Sequence, residues 1–198
     1  MWKRGLNDRF FVIADWVIIL IFCGVPLFIT LPYKINLYLA WEGAYRLYLG
    51  QVPFKDFGMP LGYGFWIIPA LAFKIFGPFM SSLIKAQFAI NIISALSYRH
   101  ILTVFDVQKP LRTLGVLLFS VSYIFINFWP WYNHVVFVYE LAGLALLVHA
   151  LIRPSRHAWW QLICAGLLSF LAIFTKQDIG GLGFLVMVFV LIAYLLLE

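Results

Sequence analysis

Hydrophobic and polar positions divide this chain into long apolar runs separated by short polar breaks. The runs cover residues 11–31, 60–76, 79–98, 113–129, 135–152, 158–174 and 180–197. Most approach the roughly 20 residues that a helix needs to cross a bilayer. Strands of a transmembrane barrel would instead alternate over about ten residues. The pattern predicts an all-α, polytopic helical bundle with short loops, forming one domain without linkers or repeats. Between the first two runs, residues 36–49 have helical spacing: Leu37, Ala40, Ala44, Leu47 and Tyr48 fall on one apolar face. This predicts a juxtamembrane helix.

The first run is a retained span rather than a cleaved signal. A signal h-region is about 7–15 residues long and ends at a small-x-small site, whereas here Leu31-Pro32-Tyr33-Lys34 follows. Asp15, in its first turns, is expected to cap, to pair with a basic residue or to face a helix partner. Three basic clusters then set the topology: Lys3, Arg4 and Arg9; Arg99, Lys109 and Arg112; Arg153 and Arg156. The positive-inside rule puts all three, and the N-terminus, in the cytoplasm. An odd number of crossings must then separate the first outer loop from the second cluster, yet two apolar runs occupy that interval. Segment 60–76 is short, holds Pro69 and Lys74, and opens with Pro60, Gly62 and Gly64. It is expected to lie along or dip into the outer face as an amphipathic or re-entrant helix; the alternative is that both runs cross and the basic bias is weak. About six spans result, and residues 32–78, 129–134 and 176–178 gather on the outer side.

Composition agrees with the membrane reading. Of 198 residues, 64% are hydrophobic and 11% charged, against roughly 25% charged in soluble domains. The net charge of +6 is spread over loop clusters that suit lipid headgroups, so no nucleic-acid partner is expected. Cys23 and Cys164 lie inside apolar runs and read as small buried hydrophobes, and no zinc-ligand spacing is present.

Residues 42–58 form a charged cassette beside the membrane. Glu42 and Arg46 are i,i+4 neighbours, either a helix-surface salt bridge or a general base beside its counter-ion. Asp56 sits among prolines and glycines that demand turns. It could bind a divalent metal, orient a sugar hydroxyl or cap a helix starting near Pro60. Lys34, Arg46 and Lys55 add positive charge suited to a phosphate. Lys176 and Asp178 break two apolar runs, as a plain helix–helix turn or as a phosphate contact that also balances Glu42 or Asp56. Residues 129–134 read as an aromatic interfacial belt. Glu140, inside the next span, must be neutral, paired or wet, and is not at ligand spacing from His134. Metal dependence stays open, because two or three loop carboxylates neither require nor exclude a cation.

Trp41-Glu42-Gly43, then Leu-Gly-Gln-Val-Pro-Phe-Lys-Asp-Phe over 49–57 and Pro-Leu-Gly-Tyr-Gly over 60–64, resemble the first outer loop of polytopic GT-C glycosyltransferases. These are the protein-mannosyltransferase-like and aminoarabinose-transferase-like enzymes. Ile75-Phe76-Gly77 and Phe-Thr-Lys-Gln-Asp-Ile-Gly over 174–180 are similar to that superfamily too. The resemblance implies sugar transfer from a polyprenyl phosphate or diphosphate carrier to an acceptor on the extracytoplasmic side. Glu42 then matches the catalytic acid, with Asp56 assisting and Arg46, Lys55, Lys176 and Asp178 around the phosphate. Many members have Asp-Glu or Asp-Asp in this loop where Trp41 precedes Glu42 here. Members are also far longer, so the chain resembles their N-terminal portion. Compact loops fit a bacterial inner membrane. A non-enzymatic lipid-carrier transporter, or an accessory subunit of a glycan assembly complex, is the alternative from another class.

Overall fold

The computed structural model describes residues 2–28, 35–58, 62–124, 128–156 and 158–197, with side chains for 9–28, 37–58, 62–122, 128–156 and 158–197. Lys34 and Pro60, and the side chains of Lys3 and Arg4, lie outside these ranges. Eight α-helices follow in order: α1 (Trp2–Gly24), running into a 3-10 turn at Val25–Phe28, α2 (Ile35–Tyr48), α3 (Gly64–Phe76), α4 (Met80–Val104), α5 (Lys109–Ile124), α6 (Tyr132–Ile152), α7 (Ala158–Thr175) and α8 (Gln177–Leu197). The described residues contain no strand. The expected all-α bundle is therefore what the chain forms.

Among the described residues, five helices are long and apolar enough to cross a membrane: Arg9–Phe28, α4, α6, α7 and α8. The sixth expected span, α5, has 16 residues, about 24 Å at 1.5 Å per residue, against a hydrocarbon core of about 30 Å. It nevertheless runs from one end of the bundle toward the other. α3 has 13 residues and reaches only about 20 Å, shorter than the hydrocarbon core. Phe65, Trp66 and Phe73 are fully buried in the main core with Ala40, Ala44, Leu83, Ile90 and Val135. Leu71, Lys74, Ile75 and Phe76 stay exposed, so α3 buries one face in the bundle and leaves the other at its surface.

Two sets of contacts define the ends. At one end, Asp15 of α1 meets Arg99 of α4 and Arg112 of α5, while His100 of α4 stacks on His149 of α6 with ring centroids 4.9 Å apart. Arg153, just past α6, donates to the Thr103 carbonyl and to Asp106 in the α4–α5 turn. The second and third basic clusters and Arg9 thus share one end. At the opposite end, Trp66 donates to the Leu39 carbonyl at 3.0 Å, joining α3 to α2. Tyr139 of α6 donates to the Gly64 carbonyl at 3.1 Å. Tyr63 meets Phe174 of α7 edge-on at 4.5 Å.

Glycines set how closely this second end packs. A Cβ on Gly62 would stand 1.9 Å from the Phe174 carbonyl oxygen, and one on Gly180 would stand 2.3 Å from the Ala172 carbonyl carbon. Both obstacles are backbone, so only glycine lets α3 and α8 approach α7 this closely.

Two sequence expectations fail here. Trp129 is only 3% exposed and His134 is buried, with Trp129 in the main core, while Trp131, Tyr132 and Asn133 stay partly exposed; Trp129 is therefore a core residue and not part of a belt toward headgroups. Aromatic richness is shared by interfacial belts and cores, and burial separates them. Cys23 is buried as expected, but Cys164 is exposed on the outer surface of α7.

Candidate functional site

The end opposite the basic clusters carries the polar residues that the sequence singled out. On α2, Arg46 clasps Glu42: its Nη2 lies 2.6 Å and its Nε 3.0 Å from the same carboxylate oxygen. Both side chains stay partly open, at 36% exposure for Arg46 and 49% for Glu42. Such an exposed pair holds geometry more than it adds stability. Arg46 Nη1 also donates to Gln51 Oε1 at 3.3 Å, and its guanidinium carbon sits 5.3 Å from the Phe57 ring centre. One arginine therefore links the helix to the turn that follows it.

That turn is built by Asp56. Its carboxylate accepts from the Val52 backbone N–H at 2.7 Å, and its own N–H donates to the Val52 carbonyl at 2.9 Å. Phe54 adopts a left-handed φ of 65° at the tip, and its N–H donates to the Phe57 carbonyl at 2.8 Å. Among the described residues Asp56 thus closes the loop back at Val52; Pro60, where a cap was considered, lies outside them. Lys55 stands exposed on the same turn.

Lys176 is the single residue between α7 and α8. Its Nζ lies 3.4 Å from Asp178 and 5.4 Å from the centre of the Tyr132 ring. Asp178, in the first turn of α8, is well placed against the positive end of that helix.

Two clefts open here. One of about 480 Å³ is lined by Phe54, Gly62, Phe174, Lys176 and Asp178 among others. The other, about 320 Å³, is lined by Trp41, Glu42, Tyr45, Arg46, Leu49 and Gln51. They share no lining residue among the described ones. The six predicted residues therefore sort into a Glu42–Arg46 cleft, a Lys176–Asp178 cleft, and a turn carrying Lys55 and Asp56.

Sequence reasoning passed over the rings beside Glu42. Trp41 and Tyr45 stack at 4.6 Å and 18°, and Tyr48 continues the stack from Tyr45 at 6.2 Å and 19°. The signal was present as Trp41, Tyr45 and Tyr48 at i, i+4 and i+7, one stripe of a helix, of which the apolar face read from the sequence includes Tyr48 alone. Trp41 and Tyr45 cover one another's faces in this stack, and Tyr48, the exposed ring at its end, is the one that could meet the apolar face of a sugar.

Elsewhere, Glu140 of α6 has one carboxylate oxygen buried without a hydrogen-bond partner among the described residues, where a Cβ on Gly183 of α8 would come within 2.2 Å. No group of three or more His, Cys, Asp or Glu among the described residues is arranged to hold a metal ion.

Fold and site together define the class: an all-α bundle of membrane-crossing type with a polar cluster at one end. Comparison with protein-family models, curated proteins and solved structures returned no match for the chain.

Proposed function

We propose that this protein is a GT-C-like membrane glycosyltransferase that moves a sugar from a polyprenyl-phosphate carrier to an acceptor outside the cytoplasm. The basic end then faces the cytoplasm with the N-terminus, in keeping with the positive-inside rule, and a bacterial inner membrane is the proposed location. The observation that carries the reading is the Trp41–Tyr45–Tyr48 stripe lying directly beside the Glu42–Arg46 pair. In this scheme the sugar packs against Tyr48 at the exposed end of the stack, and Glu42 takes the proton from the acceptor hydroxyl. The acceptor oxygen bonds to the anomeric carbon as the bond to the phosphate oxygen breaks, and the electron pair leaves with the phosphate. Arg46 and Lys55 meet that charge near the sugar. Lys176, held by Asp178, takes the carrier's phosphate in the neighbouring cleft before or after transfer. Asp56 acts by holding the turn that presents Lys55.

The separate linings of the two clefts among the described residues favour a second reading, in which the protein carries or presents a polyprenyl phosphate without cleaving it. One experiment separates them. Purified protein in vesicles is given a radiolabelled polyprenyl-phosphate sugar and an acceptor mixture, and released carrier and labelled product are counted. Transfer that Glu42→Gln abolishes, with membrane insertion unchanged, supports the enzyme. Carrier movement without sugar release, unaffected by Glu42→Gln and lost in Lys176→Gln, replaces it with the second reading.

A further inference from the structure

Two histidines join α4 to α6 at the basic end. His100 Nε2 and His149 Nδ1 lie 2.9 Å apart, with the ring planes inclined by 18°, so one ring donates an N–H to the bare nitrogen of the other. Both rings are half-buried. α4 has 25 residues, about 37 Å at 1.5 Å per residue, which outruns a hydrocarbon core of about 30 Å. His100 stands four residues from its end, next to the exposed Asp106–Arg153 pair, and so lies at headgroup depth, within reach of protons from water. Arg153 makes a second tie about one turn nearer the helix ends, donating to the Thr103 carbonyl at 3.1 Å and to Asp106.

The bond limits how many protons the pair can hold. Each neutral ring carries one N–H. A first added proton can sit on the outer nitrogen of the donating ring and leave the bond intact. A second can sit only on the accepting nitrogen, which sets two N–H groups and two positive charges face to face. The surroundings add to that repulsion. Besides His149, the charges that act on His100 are Arg153 and Arg99, both positive. The described acids at this end are already bonded, Asp106 to Arg153 and Asp15 to Arg99 and Arg112. Among the described residues the other helices bring no further anion to this end. α1 adds Arg9, α5 begins with Lys109 and Arg112, α7 has no charged residue, and Lys74 of α3 and Asp178 of α8 stand toward the opposite end. Glu140 of α6 lies nine residues from His149, about 13 Å along the helix.

We propose that the His100–His149 bond is a proton-sensitive clasp: it fastens α4 to α6 while the pair holds no more than one added proton, and it opens when both rings are charged. Arg153 stays on Thr103 and Asp106 and serves as the hinge. The basic end of the bundle thereby loosens as the water beside it acidifies. In the unfolded chain both imidazoles take up a proton near a pH of about 6.5; in the folded chain only one does. The unfolded chain therefore binds more protons below that pH, so the stability the clasp supplies is present above it and lost as pH falls. The clasp lies at the opposite end from the proposed sugar-transfer clefts and does not rest on that reading.

Two measurements on the full chain in nanodiscs test the clasp, each made at about pH 7.5 and about pH 5.5, on either side of the free imidazole value. The extra proton of the unfolded chain shifts the unfolding equilibrium about tenfold over that interval, or about 3–5 °C in thermal midpoint. His149→Gln keeps an acceptor for His100 but takes no proton, so on acidification its midpoint should fall about 3–5 °C less than that of the wild type. Every other titrating group, His134, His157 and Glu140 included, is common to both chains and cancels in the difference. His100→Gln is the reciprocal variant and should behave the same way. The second measurement is the distance between spin labels at Phe105→Cys and Ile152→Cys, exposed positions at the ends of α4 and α6, with Cys164→Ser removing the exposed native thiol. That distance should lengthen at the lower pH with both histidines present and stay fixed with His149→Gln. Equal midpoint losses in the wild type and the two glutamine variants, or a label distance that ignores pH with both histidines present, would overturn the proposal.

Discussion

Replacing Asp15 with Asn is the sharpest perturbation of the bundle, because it removes one charge and almost no volume. The Asp15 carboxylate has no exposed surface, and its partners are nearly as enclosed, Arg112 at 6% and Arg99 at 18%. In the native chain two guanidinium groups surround one carboxylate, a net charge of +1. Asp15→Asn raises this to +2 with both arginines still buried. Removing one partner from a buried ion pair costs about 3–5 kcal/mol, mostly through the charge left behind. For a chain of this length 1 kcal/mol moves a thermal midpoint by about 2–4 °C. The expected loss is thus about 6–20 °C, read as the temperature at which purified protein stops eluting as one species from a sizing column.

A second variant makes the reasoning testable without trusting one number. Asp15→Asn with Arg112→Met restores the net charge to +1 and fills the arginine's space with an apolar chain. It should be more stable than Asp15→Asn alone, with a coupling of about 1–3 kcal/mol, the range seen for residues in direct contact. Arg112→Met alone should cost less than Asp15→Asn, since Asp15 keeps Arg99 and Thr113. Two outcomes would refute the electrostatic account. One is Asp15→Asn falling within about 1 kcal/mol of the wild type, as an exposed pair would. The other is a double variant weaker than the sum of its parts.

Other expectations are simpler. Gly62→Ala and Gly180→Ala both drive a methyl into the backbone of α7 and should each lose about 1–3 kcal/mol. Gly166→Ala, with nothing within 4 Å of the added carbon, should be neutral or gain up to about 1 kcal/mol from helix propensity; thermal midpoints decide. In detergent, maleimide should label exposed Cys164 quickly and buried Cys23 only after denaturation, as mass spectrometry of the peptides will show, and equal rates would contradict the packing of α1. Glu42→Gln should change stability by less than about 1 kcal/mol, because its pair with Arg46 is exposed.

Hydropathy alone revealed the spans, since nothing but a bilayer explains seven apolar runs with so few charges. The basic clusters singled out segment 60–76 as the run least suited to cross, and α3 within it is 13 residues long. The i,i+4 pairing of Glu42 and Arg46 was legible because helix periodicity places them together regardless of the rest of the fold. What could not be read was whatever depends on helices meeting. The partners of Asp15 lie 84 and 97 residues away, and no local pattern connects them. The same ignorance made Trp129 an interfacial anchor and Cys164 a buried residue, because composition does not say which side of a helix faces its neighbours. It also left Glu42 and Lys176 as one cluster, when they line separate clefts.

The two ends of the bundle use their polar groups differently, and the difference bears on function. At the basic end the contacts bridge distant helices: 84 and 97 residues from Asp15 to its arginines, 49 between His100 and His149, and 47 between Asp106 and Arg153. At the opposite end the polar contacts of the candidate residues stay local. Glu42 to Arg46 and Asp56 to Val52 each span four residues, and Lys176 to Asp178 spans two. Long-range polar contacts hold helices in place, so evolution cannot alter them without loosening the fold. Local, exposed pairs shape only their own turn. Glu42, Arg46 and Lys176 can therefore change charge or partner at little cost in stability, which is the freedom a group needs if it is to give up its neighbour for a substrate. Core glycines and aromatics hold that end together instead: Gly62 and Gly180 against α7, and Trp66 over Gly43. With a rigid apolar frame beneath loosely committed charges, Glu42→Gln should leave the bundle as stable as before, so any activity lost in that variant would report on the proposed chemistry and not on folding.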